Sequence, residues 1–157
     1  MQLNSLLIKI SSILLYLSPI ALLTGPFLPD LFISIIAIIF LFITIRNRHW
    51  KYFRNYFFYF FVLFYFFLLI SSLSSELVLF SLKSSLFYFR FGIFSLAVWY
   101  LIDSNKKILP IFGRILMFTF ILIIIDGFYQ YYFRHNIIGI ENINTSRLSL
   151  TFSDRMS

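Results

Sequence analysis

The sequence predicts an all-α, polytopic transmembrane helix bundle of about five spans, and three observations carry that prediction. Hydrophobic residues make up 61% of the chain and charged residues 12%, about half the roughly 25% charge of a soluble domain. Phe occurs 23 times in 157 residues, more apolar side chain than a soluble domain of this size hides, because such a domain buries only about 68–70% of its unfolded surface. Apolar stretches of the length that crosses a bilayer, about 20 residues, recur along the chain. With a mean hydropathy of +0.92, these features exclude an ordinary soluble globule and an intrinsically disordered chain. The absence of Cys excludes a disulfide framework and a thiolate metal site.

The first predicted span runs from about Leu6 to Leu23, with Lys9 near its start and Pro19 near its end. It has only a weak positive leader, no small-residue cleavage pattern before Gly25, and a second span directly after it, so it reads as a retained helix and not a cleaved signal. Residues Thr24 to Asp30 (TGPFLPD) form a tight hairpin, since one Gly and two Pro punctuate two helices there. The second span covers about Phe27 to Ile45 and the third Tyr56 to Leu73. The fourth begins between Glu76 and Leu86 and ends near Ile102, with Ser74 or Ser75 as a cap and Glu76 favouring the positive end of the helix dipole. A fifth runs from about Ile108 to Ile125. After Asp126 the composition turns polar, which divides the chain into a membrane region, 1–125, and a membrane-proximal segment, 126–157.

Orientation follows from Lys and Arg in short loops. The loop from Arg46 to Arg54 holds four basic residues and no acid, which places it in the cytoplasm. The N-terminus with Lys9 and the loop with Lys106 and Lys107 then fall on the same side, and the hairpin, residues 71–85 and the tail fall outside. The net charge of +7 reads as topology and contact with membrane lipids, not as nucleic-acid binding. Trp50, Trp99 and Tyr100 fall near predicted interfaces, where amphipathic rings settle.

Arg90 is the most informative residue within a span. An arginine at the bilayer centre costs about 2.5–3.5 kcal/mol on insertion scales. Two readings stand side by side: it faces the bundle and binds an anionic headgroup or diphosphate, or it snorkels to the outer headgroups. Lys83, seven residues earlier, shares its helix face. In the tail, aromatic residues alternate with polar ones through Tyr129, Gln130, Tyr131, Tyr132, Phe133, Arg134 and His135. Arginine presents a fork of donors matched to phosphate oxygens. The only two His, His49 and His135, lie on opposite predicted sides, so no His-based metal cluster is expected. No metal and no cofactor is expected, and no residue stands out as a general base.

Four stretches, taken in order, resemble a known family. They are Leu17 to Asp30, Ser81 to Phe91, Tyr129 to Phe133 with Asn136 to Gly139, and Arg147-Leu148-Ser149 with Phe152-Ser153-Asp154. Together they resemble bacterial O-antigen ligases and O-antigen polymerase-like membrane proteins of lipopolysaccharide biosynthesis. The family's Arg-x-x-Gly stretch is matched without its glycine, Leu150 standing in its place. The resemblance implies a multi-pass inner-membrane glycosyltransferase that moves a polyprenyl-diphosphate-linked glycan to a glycan or lipid acceptor at the periplasmic face. It implies substrate contacts from Arg147, Arg90 and Arg134, in that order, with Tyr129, Gln130 and Tyr132 along a glycan path. In relatives the Phe-x-Asp stretch leads into another helix, so the chain is expected to be the N-terminal part of a longer protein, inactive alone. Other functions consistent with the residues are a transporter or flippase of lipid-linked glycans and a small accessory membrane protein.

Overall fold

A computed structural model describes residues 2–133. The chain forms α1 (Gln2–Ala21), a 3₁₀ turn (Leu22–Thr24), α2 (Phe27–Asn47), a 3₁₀ helix (Trp50–Phe53), α3 (Tyr56–Leu73), α4 (Val78–Ser104) and α5 (Ile108–Phe133). No strand occurs among the described residues. Five helices are long and apolar enough to cross a membrane, so the chain has the character of a multi-pass membrane protein. Within the described residues there are two compact units, 2–11 with 33–106 and 12–32 with 107–133.

The first unit is built on α2 and α4. Its core comprises Ile36, Ala37, Phe40 and Ile43 from α2 and Ile93, Leu96, Ala97 and Leu101 from α4. The amide of Asn4 in α1 donates to Asn47 Oδ1 at the end of α2, 3.2 Å away. Against α4 lies α3, as an antiparallel hairpin. Small residues make the close approach: the hydroxyls of Ser72 and Ser85 meet, both buried, and the ring edge of Phe61 fills the space where a side chain on Gly92 would stand. Tyr65 adds a hydroxyl bond to the Leu86 carbonyl at 3.4 Å and a ring contact with Phe89 at 5.4 Å.

The turn between α3 and α4 differs from its predicted form. Neither Ser74 nor Ser75 caps α4; the N-cap is Leu77, with no side-chain hydrogen bond. Ser74 instead closes α3, its backbone N–H reaching the carbonyls of Ile70 and Ser71 at 3.3 and 3.2 Å. Orphan carbonyls at the end of α3 capture the serine first.

In the second unit the hairpin solves a proline problem. Pro19 lies inside α1 and has no N–H for the carbonyl four residues back. That carbonyl belongs to Leu15, and the Ser18 hydroxyl donates to it at 2.8 Å. The Thr24 hydroxyl closes the following turn on the Ala21 carbonyl at 2.8 Å. Gly25 then takes φ 115, ψ 178, a conformation open to glycine alone. Pro29 falls in the first turn of α2, where a missing N–H costs nothing, and Asp30 in the same turn meets the positive end of the helix dipole.

The fifth helix does not stop at Ile125, where the composition changes. It continues through Asp126 and Gly127 to Phe133. One acid and one glycine within a single turn are too small a penalty to end a helix flanked by strongly apolar residues.

Candidate functional site

Arg90 lies twelve residues after Val78, about 18 Å along α4, and about 21 Å before its end. It is therefore close to the middle of the helix. The side chain is half-buried, and its Nη1 donates to Ser34 Oγ on α2 at 3.3 Å. The guanidinium also sits 5.1 Å from the Phe91 ring centre and 5.9 Å from that of Phe87, inside cation–π range. Arg90 therefore turns toward the neighbouring helix α2. Ser34 interrupts an otherwise apolar run in α2, and that interruption was the available signal for the partner. Lys83, on the same helix, is exposed.

The other predicted site residues are distributed differently. Tyr129, Gln130 and Tyr132 fall in the last turns of α5 and so belong to the second unit, whereas Arg90 belongs to the first. Tyr129 contacts the Phe133 ring at 4.6 Å, and Tyr132 is exposed, meeting the Tyr131 ring edge-on at 5.6 Å. Arg134 and Arg147 lie outside the described residues, as do His135 and Arg155. Among the described residues no group of three His, Asp or Glu side chains is placed to hold a metal ion.

A second charged feature closes one end of the first unit. The loop between α2 and α3 folds back as the 3₁₀ helix Trp50–Phe53 and inserts Tyr52, only 5% exposed, among Phe40, Trp99 and Tyr100. Phe53 stacks on Phe40 at 5.9 Å and meets Phe58 edge-on at 5.1 Å. The Tyr52 hydroxyl donates to Asp103 at 3.1 Å. Burial pushes the Tyr52 phenol above its ordinary value; Lys51 pulls it back, and Asp103 raises it again. Asn55 caps α3 by accepting from the Phe58 N–H at 2.8 Å and donates its amide to the Tyr52 carbonyl. The result is a loop held by rings, with Arg46, Arg48, Lys51 and Arg54 all exposed around it. Its signal in the sequence is the alternation of aromatic and basic residues from His49 to Arg54; nothing local ties that loop to Asp103 at the distant end of α4.

No family model matches the chain, and neither a curated protein nor a solved structure matches it.

Proposed function

We propose that this chain is part of a bacterial inner-membrane glycosyltransferase of the O-antigen ligase and polymerase type. Its donor is a polyprenyl-diphosphate-linked glycan, its acceptor a glycan or lipid, and transfer takes place at the periplasmic face. The observation that carries the reading is Arg90, held near the middle of α4 by Ser34 and flanked by two Phe rings. An intramembrane cation turned to a neighbouring helix is costly and marks a polar path. A guanidinium there suits a leaving diphosphate, because its charge and forked donors need no metal to stabilise developing negative charge. In this reading Arg134 and Arg147 add further phosphate contacts, Tyr129, Gln130 and Tyr132 line the glycan path, and the N-terminus and the 46–54 loop are cytoplasmic.

The test is made in the bacterial host with the gene as it stands there. Arg90→Ala abolishes surface polysaccharide at normal protein level, and Arg90→Lys restores only part of it, since an ammonium lacks the fork. Unspent donor then collects on the outer leaflet. Normal polysaccharide in Arg90→Ala removes the reading. The same arginine also fits a transporter of lipid-linked glycans, and donor trapped on the inner leaflet selects that function instead. Reporter fusions at the 46–54 and 74–77 loops test the orientation.

A further inference from the structure

We propose that the α2–α3 cap is a binding surface for the phosphate headgroups of anionic phospholipids in the surrounding membrane. The cap carries Arg46, Arg48, Lys51 and Arg54, all exposed, with no acid between them. The carboxylate at the neighbouring end of α4, Asp103, accepts the Tyr52 hydroxyl. Trp50 is 48% exposed within the same short helix, the placement of an indole at headgroup depth.

Backbone geometry supplies an independent argument. α2 ends in a Schellman turn: the His49 N–H reaches the Thr44 carbonyl at 3.1 Å. The left-handed position of that motif usually holds glycine. Here it holds Arg48 at φ 54, the one positive-φ non-glycine residue in the described chain. An L side chain carries a steric penalty in that conformation which glycine avoids. The strained residue is a cation, and it lies between Arg46 and Lys51 on a loop fixed by Tyr52 and Phe53. A cluster of cations on a pre-ordered loop binds phosphate without first losing the freedom of a floppy segment, and each cation near an anionic leaflet adds attraction.

The test uses the 157-residue chain carrying Trp99→Phe, in which Trp50 is the one indole reporter. It is reconstituted into mixed vesicles of phosphatidylglycerol and phosphatidylcholine in which one lipid or the other is brominated near the headgroup, and the ratio of the two quenching efficiencies gives the lipid preference at Trp50. The expected result is a preference for phosphatidylglycerol that falls about fivefold in Arg48→Gly. It falls further in the variant combining Arg48→Gln, Lys51→Gln and Arg54→Gln. Arg48→Gly suits the left-handed turn and removes the charged side chain together with its strain, so it remains informative if the triple variant fails to fold. Equal quenching by the two lipids overturns the proposal, and so does a preference unchanged by Arg48→Gly.

Discussion

Two helices of one hairpin, α3 and α4, are built on opposite plans. By sequence α3 is the more apolar, since α4 carries Lys83, Arg90 and Asp103 where α3 has no charged residue. Yet only Ser72 of α3 is buried, whereas α4 buries Ser85, Gly92, Ile93, Leu96, Ala97 and Leu101. Apart from Phe58, Phe61 and Tyr65, the Phe and Tyr side chains of α3 point outward; Phe60, Phe66 and Phe67 are 71%, 59% and 62% exposed. In a membrane the surroundings are as apolar as the side chains, so hydrophobicity does not sort residues inward. Close approach does, and small or hydroxylated residues permit it.

The sharpest way to break this pairing is Gly92→Leu. A side chain there meets the Phe61 ring at once, and overpacking of this kind costs about 1–3 kcal/mol. Loss of thermal stability in detergent, recovered in part by adding Phe61→Ala, is the expected result. Failure of the second change to rescue would mean that Gly92 matters to α4 alone.

Tyr52→Phe comes next. It removes one hydrogen bond to a carboxylate, a loss of about 1.5–3 kcal/mol at most and smaller where water reaches Asp103. It also carries a pH signature. The folded protein holds the phenol pKa above the ordinary value of 10.0, so the folded state binds that proton more tightly than the unfolded one. Its stabilisation is complete below pH 10 and is lost as pH rises through the elevated value. An alkaline melting series should show the parent losing stability above pH 10 more steeply than Tyr52→Phe. Equal slopes would place the phenol in contact with solvent.

How much of this was legible in the sequence depends on what each feature rests on. The α3 span was read to its observed ends, Tyr56 and Leu73, because Asn55 and the serine cluster that follows Ile70 punctuate it locally. The end of α5 was misplaced, because composition marks polarity and not the helix end, which falls at Phe133. For Arg90 the sequence holds only a weak mark of its partner, the break that Ser34 makes in the apolar run of α2, and the pairing itself rests on packing across 56 residues. In the sequence the cap shows as positive charge with Trp50 at an interface. Its shape comes from Phe40, Trp99, Tyr100 and Asp103, residues no local pattern connects to Tyr52.

The gentlest probe of the comparison is Ser72→Ala. The Ser72 and Ser85 hydroxyls lie against each other, and each also faces a carbonyl one turn back, Leu68 and Ser81, at 2.9 Å. Each hydroxyl has a single hydrogen, so the pair holds together only if one of them turns from its carbonyl to its neighbour. Removing the Ser72 hydroxyl leaves Ser85 still donating to Ser81 and leaves no buried donor stranded. The expected cost is therefore the modest value of an interhelical bond in a membrane protein, about 0.6 kcal/mol. Ser72→Leu keeps that loss and adds bulk where the backbones approach, so it should cost more than the alanine. If instead leucine were tolerated as well as alanine, the hairpin would be held by its outward rings and not by its small residues, and the contrast between α3 and α4 would lose its physical basis.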